Sequence, residues 1–144
     1  AATMTDRRLL LKKLARLREH TNLTRDRRPP ALDEFRSRDR QDLAALAFVV
    51  AMQEAIDIAA HVAADEGLGL PGSYGESFLL LARNGVITQP LAQQLSRMVQ
   101  VRNRSVHGYL SMEFETFWHD LPAGIAALDQ FAAALALRAG PPSP

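Results

Sequence analysis

Apolar residues recur every three or four positions along almost the whole chain, and no segment shows the period-two alternation typical of β-strands. This pattern predicts helices throughout. The first predicted helix covers residues 5–28 and ends at Pro29 and Pro30, which cannot continue it. The second covers residues 33–66 and is nearly all apolar between 43 and 64, so we expect it to be the central element of a helical bundle.

Capping residues delimit two further helices after a glycine-rich loop at residues 67–72. Ser73 followed by Glu76 is a capping box, which predicts a short third helix that ends at the next Asn-Gly pair. Thr88 has the residue type of a helix cap and is expected to open a fourth helix that reaches about His107.

A fifth helix is predicted to start at Ser111, and Pro122 and Gly124 should kink or split it before it resumes. The Pro-rich residues 140–144 should form a loose tail. The pattern therefore predicts one all-α domain of about five helices at residues 4–139.

Composition narrows the class of protein. The 144-residue chain is 47% hydrophobic, which is enough for one compact domain with its own core. It lacks a run of about 18 uncharged apolar residues, so we expect no membrane span. Its first residues lack the apolar core of a signal peptide, and the absence of cysteine excludes disulfides and thiolate metal sites. These features fit a cytoplasmic protein.

Charge is divided unevenly along the chain, although the net charge is only +1. Residues 1–40 contain 12 Arg and Lys against 6 Asp and Glu, whereas residues 41–144 contain 5 against 10. A basic segment attracts a polyanion or an acidic partner. A solvated helix face explains the same composition at least as readily.

Candidate chemistry lies at the end of the fourth predicted helix. An apolar stripe runs through Leu91, Leu95 and Met98, and the next position on that stripe is Arg102. A guanidinium at an apolar position costs free energy unless a carboxylate, a phosphate or a cleft meets it. His107 follows five residues later, which is about 140° around the helix axis and roughly 7.5 Å along it.

An arginine beside a titratable imidazole is what RNA cleavage without a metal requires. Histidine moves a proton to or from the 2′-hydroxyl or the leaving oxygen, and arginine binds the phosphate and stabilises the extra charge of the transition state. An ordinary helix end, with His107 favoured by the helix dipole and Arg102 paired with an acid, explains the same two residues. The spacing alone leaves both interpretations open.

The same residues resemble a known signature. Arg102 and Asn103, three further residues and His107 match the motif of HEPN ribonucleases, and Tyr109 supplies the His-x-Tyr extension of HepT toxins. Three other segments are similar to that family in order and spacing: residues 55–61, 73–78 and 85–87. The resemblance covers about residues 6–135.

The resemblance implies an all-α HEPN-type bundle that forms a homodimer, with the motif-bearing helices meeting at a shared cleft. It implies a metal-independent endoribonuclease that needs no cofactor and acts on RNA as the toxin of a type II or type VII-like toxin–antitoxin pair. Arg102 and His107 would be catalytic and Asn103 supporting. The implied antitoxin partner is an MNT-type nucleotidyltransferase that adds AMP to Tyr109. Tyr109 follows Arg102 by seven residues, about two helical turns, so if the helix persists we expect Arg102 and the nearby Arg104 to bind the attached phosphate.

A narrow polar stripe on the second predicted helix provides one more candidate. Its members are Gln53, Glu54, Asp57 and His61, and the last two are four residues apart and can touch. Asp57 is the candidate for a supporting residue that orients the catalytic groups, although an exposed pair explains the stripe more simply. The histidines outside the motif lack neighbours with the spacing of metal ligands, so no metal site is expected.

Two other functions compete with the ribonuclease. One is a HEPN module without catalytic activity that binds a nucleotide or a nucleotidyltransferase, and such a module has no need of a proton-transferring histidine. The other is a plain helical dimerisation protein, which leaves Arg102 in the apolar stripe unexplained.

Overall fold

The computed structural model describes residues 6–107 and 113–140, apart from the side chains of Val106 and His107. Within this part the chain forms five α-helices, one short 3-10 turn and no strand, which confirms the predicted all-α fold. In chain order the elements are α1 (Arg7–Arg27), the 3-10 turn (Leu32–Phe35), α2 (Arg38–Asp65), α3 (Tyr74–Arg83), α4 (Gln89–His107) and α5 (Phe114–Ala139).

Helix α2 is the central element, as its apolar composition predicts, because all four other helices pack against it. Small alanine side chains make up much of its buried surface and let the neighbouring helices approach closely. The largest side chains that are fully buried in the core include four phenylalanines: Phe35, Phe48, Phe78 and Phe131.

Two helices of the described chain, α2 and α5, are long and apolar enough to cross a membrane by length and composition alone. In the bundle, 56% of the most apolar stretch of α2 and 44% of that of α5 are buried. A core helix of a bundle has the same composition, and α2 contacts every other helix. Burial in the core therefore accounts for the composition of α2.

The start predicted for the second helix was wrong by five residues. Residues 32–35 form a separate 3-10 turn because the fully buried Phe35 packs into the core, where its ring stacks on Phe117 with 6.3 Å between ring centroids. Ser37 then caps α2 by accepting a hydrogen bond from the backbone N–H of Arg40. The aromatic anchor thus separates two segments that both have helical character.

The capping box at α3 is present in a modified form. The Ser73 hydroxyl oxygen accepts a hydrogen bond from the Glu76 backbone N–H at 3.2 Å, as predicted. The Glu76 carboxylate accepts from the Gly72 N–H at 2.8 Å, one residue before the cap. The helix start and the end of the glycine-rich loop are therefore tied together.

The prediction that Pro122 and Gly124 would interrupt the fifth helix was wrong, since α5 is continuous from Phe114 to Ala139. Proline at 122 lacks the N–H that would bond to the carbonyl of Trp118. That carbonyl instead accepts a hydrogen bond from Arg28 Nε at 2.9 Å. The Arg28 guanidinium also lies 3.8 Å from the centroid of the Trp118 ring. Arg28 therefore supplies the hydrogen bond to Trp118 that Pro122 cannot give.

Gly124 serves close packing instead of a break. A Cβ atom at this position would stand 2.9 Å from the Met98 sulfur and 3.2 Å from Phe48 Cε1. Glycine therefore lets α5 approach α2 and α4 this closely without displacing the Met98 side chain. The start predicted at Ser111 and the tail beyond Gly140 lie outside the described residues.

Candidate functional site

The predicted apolar stripe of α4 is buried, and it leads to Arg102. Leu91, Leu95 and Met98 are all buried, whereas Arg102 is half-buried. The guanidinium thus occupies a position on the inner side of the helix and needs partners there.

Uncharged groups from three helices surround Arg102. Its Nη2 donates a hydrogen bond to Gln53 Oε1 on α2 at 2.8 Å, and its Nη1 donates to Asn103 Oδ1 on α4 at 3.1 Å. The guanidinium carbon lies 5.2 Å from the centroid of the Tyr74 ring at the start of α3. Gln53 Nε2 donates in turn to Asp57 Oδ1 at 3.0 Å. We call these five residues the Arg102 cluster.

The charge of Arg102 is not neutralised by any carboxylate within 4.0 Å in the described part of the chain. Its Nε is buried and has no hydrogen-bond partner there. A buried donor without a partner is costly, and arginine is always protonated. The guanidinium therefore keeps its positive charge, and it carries one interior donor that the described residues leave unsatisfied.

A groove of about 900 Å³ lies between α3 and α4 beside the cluster. Its polar and charged lining comprises Tyr74, Arg102, Asn103, Gln100, a second arginine, Arg83, and one carboxylate, that of Glu76, which is bonded to the Gly72 N–H. Two guanidinium groups, an aromatic ring and side-chain amides are the groups that bind a phosphate backbone and stack on bases. The groove is therefore chemically suited to a single-stranded nucleic acid.

The polar stripe of α2 divides between two neighbours. Asp57 is exposed and contacts Gln53, whereas His61 Nε2 lies 3.2 Å from the carboxylate of Asp65, so these two residues have separate partners although their spacing would let them touch. Glu54 points to α1, where its Oε1 is 2.9 Å from His20 Nδ1. Burial raises the pKa of Glu54, although the nearby His20 opposes that shift.

Arg104 does not share the position of Arg102. Two residues along a helix are about 200° apart, and Arg104 Nη2 lies 3.7 Å from Asp120 Oδ2 on α5. The expectation that both arginines meet the same phosphate is therefore not supported by this arrangement.

The other two motif residues lie at the edge of what the structure describes. The chain is helical as far as His107, the last residue described before the gap, and the side chain of His107 is outside the described atoms. Tyr109 lies outside the described residues. The structure therefore joins Asn103 to Arg102 directly and Asp57 to Arg102 through Gln53, and the backbone of His107 lies about 1.4 turns further along the helix.

Sequence reasoning missed the roles of Gln53 and Tyr74. Gln53 belongs to the polar stripe of α2, but by residue type the carboxylate of Asp57 on the same stripe is the stronger candidate for a functional residue. Tyr74 is one of only two tyrosines, it follows directly after the Ser73 cap, and its side chain is 45% exposed. An aromatic residue at an exposed helix start is the signal that could have identified it.

Among the described residues, no group of three or more His, Asp or Glu side chains is placed to bind a metal ion. His20 is engaged with Glu54, and the ring of His119 lies against Trp118 with 5.0 Å between the ring centroids. The site is thus built from a cation, amides and an aromatic ring.

Comparisons with known proteins identify the family. The family model "Ribonuclease HepT-like" matches residues 10–135. The mRNA nuclease HepT of Shewanella oneidensis is 41% identical over 76 residues, a match that covers 53% of this chain and 57% of that protein, or little more than half its length.

Solved structures agree with the fold. A tri-AMPylated HEPN toxin from Shewanella oneidensis, in complex with MNT antitoxin, matches with a TM-score of 0.83 at 28% identity, over 93% of this chain and 99% of that one. The cytosolic Bacillus subtilis protein YutE, of unknown function, matches with a TM-score of 0.81 at 18% identity over 99% of both chains, which shows the fold alone. With most of its length matched by the family model, the chain belongs to the HepT-like ribonuclease family.

Proposed function

We propose that this protein is the toxin of a toxin–antitoxin pair, an endoribonuclease that cleaves RNA without a metal ion by means of Arg102 and His107. The observation that carries the proposal is the Arg102 guanidinium, which lines a groove with its charge uncompensated by a described carboxylate. A structural arginine in an apolar stripe normally has a carboxylate or backbone partner. The described relatives, an mRNA nuclease and a HEPN toxin, support the same activity.

Arg102 would bind the non-bridging oxygens of the scissile phosphate. These oxygens gain negative charge when the phosphorus becomes five-coordinate, so a fixed guanidinium stabilises the transition state more than the ground state. Asn103 holds Nη1 and Gln53 holds Nη2, which keeps the fork in one orientation. Asp57 acts through Gln53.

His107 would transfer the protons. The 2′-oxygen attacks phosphorus and gives its proton to the imidazole, and the bond from phosphorus to the 5′-oxygen breaks as that oxygen takes a proton. The products are a 2′,3′-cyclic phosphate and a 5′-hydroxyl. In a homodimer the His107 of the second copy is available for the other transfer.

The exposed face of α2 supports a homodimer next to the site. Leu43 is 47% exposed and Leu46 is 58% exposed. They lie on the same side of the helix as Val50 and Gln53, at spacings of three and four residues. A second copy that covers this face would shield the leucines and bring two Arg102 clusters near each other. We propose that this dimer acts in the cytoplasm.

We propose further that an MNT-type nucleotidyltransferase neutralises the toxin at Tyr109. The phenol oxygen attacks the α-phosphorus of ATP, the bond to the β-phosphate oxygen breaks, and pyrophosphate leaves as the phenol loses its proton. The AMP that remains would occupy the position of the RNA phosphate. The solved HEPN toxin that is tri-AMPylated in complex with MNT antitoxin supports this proposal.

The catalytic proposal is tested by RNA cleavage in EDTA with purified wild-type protein, Arg102→Ala and His107→Ala. Arg104→Ala is the matched control, because Arg104 is on the same helix turn but faces Asp120. We expect cleavage by the wild type and the control only. Cleavage that a chelator stops and a divalent metal restores contradicts the mechanism, and nucleotide binding without any cleavage favours the non-catalytic module.

The modification is tested by mass spectrometry of the protein co-expressed with the nucleotidyltransferase. We expect added AMP on wild-type protein and none at position 109 in Tyr109→Phe, which should remain toxic beside the partner. An unmodified Tyr109 in a fully neutralised toxin would show that binding alone inhibits it.

A further inference from the structure

We infer that Gln53 is a positioning residue that orients Arg102 for the RNA phosphate while leaving its positive charge uncompensated. This inference rests on the proposed function and names a residue that the HEPN signature does not contain. Gln53 acts through Arg102 and has no contact of its own with the reacting atoms.

The orientation of the Gln53 amide is fixed from both sides by chemistry. Arginine has only donors, so the amide oxygen must face Arg102, and it lies 2.8 Å from Nη2. An ionised carboxylate only accepts, so the amide nitrogen must face Asp57, and it lies 3.0 Å from Oδ1. Glutamine satisfies both neighbours at once, and it keeps the negative charge of Asp57 one side chain away from the guanidinium.

A glutamate at position 53 would have the same shape and the opposite effect. Its carboxylate would pair with Arg102 and occupy the donors that a phosphate needs, and it would face the like charge of Asp57. The molecule contains an arginine neutralised by a glutamate in this way at the C-terminal end of α2. There Glu66, just after α2, binds Arg138 of α5 through two contacts, one of them from Nε at 3.0 Å.

The remaining neighbours of Arg102 are also uncharged. Asn103 offers an amide oxygen, and Tyr74 offers the face of a ring, whose attraction for the cation leaves the charge in place. Three uncharged groups from three helices therefore restrict the guanidinium. The cost of ordering this long side chain is met before RNA binds.

The test compares Gln53→Glu with Gln53→Met in the full-length protein. Glutamate keeps an acceptor and adds a charge, whereas methionine keeps the volume and removes the acceptor without adding charge. The substrate is a short RNA with one cleavage site, and kcat and KM are measured separately. Glu54→Gln is the control, because the adjacent residue faces His20 and receives the reverse isosteric change.

We expect Gln53→Glu to lower kcat by about 10–100-fold, which is less than the roughly 10²–10³-fold lost when such a donor is removed outright, because the guanidinium remains but is paired with a carboxylate. Gln53→Met should lose less, and the control should match the wild type. A merely structural role predicts the opposite order, because glutamate preserves the hydrogen bond to Arg102 and methionine does not. Circular dichroism spectra identify any variant that does not fold. The kcat of Gln53→Glu is then compared with the kcat of Gln53→Met.

Two results would overturn the inference in different ways. If the wild type cleaves and Gln53→Glu is as active as the wild type, or more active than Gln53→Met, the inference fails while the proposed function stands. If the wild type does not cleave RNA at all, the proposed function fails and the inference fails with it.

Discussion

Two half-buried arginines in this protein, Arg28 and Arg102, share several kinds of contact but have different hydrogen-bond acceptors. Arg28 lies 3.8 Å from the centroid of the Trp118 ring, and Arg102 lies 5.2 Å from that of Tyr74. Each donates hydrogen bonds to uncharged acceptors. Neither has a carboxylate within 4.0 Å among the residues that the structure describes.

The partners make the difference. The acceptor for Arg28 is the backbone carbonyl of Trp118, which Pro122 leaves without its helical N–H, so this arginine completes the hydrogen bonding of α5. Burial lowers the pKa of Arg28. Arg102 instead binds side-chain amides, keeps a buried N–H unpaired and lines a groove. An arginine bonded to a fixed carbonyl serves the fold, and one that is held by neutral side chains beside a groove presents its charge to a ligand.

The largest expected effect is that the two arginines change different properties when each is replaced by alanine. Arg102→Ala should lower the rate of RNA cleavage by about 10²–10³-fold, because a charge that stabilises the transition state is lost. Arg28→Ala should leave cleavage intact and lower the free energy of unfolding by about 1–2 kcal/mol, because the Trp118 carbonyl loses its partner. Cleavage assays and urea unfolding measure the two effects. If both variants lose stability equally, the distinction between the two arginines is wrong.

Pro122→Ala sharpens the structural side of the comparison. Alanine restores an N–H that can bond to the Trp118 carbonyl, so Arg28 is no longer its main donor. In a double-mutant cycle, Arg28→Ala should therefore cost about 0.5–1.5 kcal/mol less in the Pro122→Ala background than in the wild type. Additive effects on the free energy of unfolding would mean that the carbonyl is not what Arg28 serves.

Tyr74 tests the functional side, with the smallest expected effect. Tyr74→Ala should lower kcat by about 2–5-fold, which corresponds to losing a partly exposed cation–π contact of about 0.5–1 kcal/mol. Tyr74→Phe keeps the ring and should retain most of the activity. Steady-state kinetics on the same RNA measure both, and a loss in Tyr74→Phe equal to that in Tyr74→Ala would assign the role to the hydroxyl group instead.

The helices were predictable because their signals are local. Caps and apolar periodicity are properties of neighbouring residues, so the Thr88 cap, the Ser73 cap and the end of the first helix before Pro29 agree with the structure. The continuity of α5 was not predictable. A proline and a glycine close together ordinarily interrupt a helix, and the partner that compensates for Pro122 is about 90 residues away in sequence.

The site divides in the same way. The sequence by itself determined the all-α fold, the family and Arg102 as a charge on an apolar stripe. Apolar periodicity is a local property of each helix, and Arg102 and His107 of the motif both lie in α4. Tertiary structure alone decided that Gln53 and Tyr74 contact that charge, that Asp57 contacts Gln53, and that Arg104 faces Asp120. These relations join three or more helices, and whether a guanidinium is neutralised depends on which side chains the packing of those helices brings within a few ångströms.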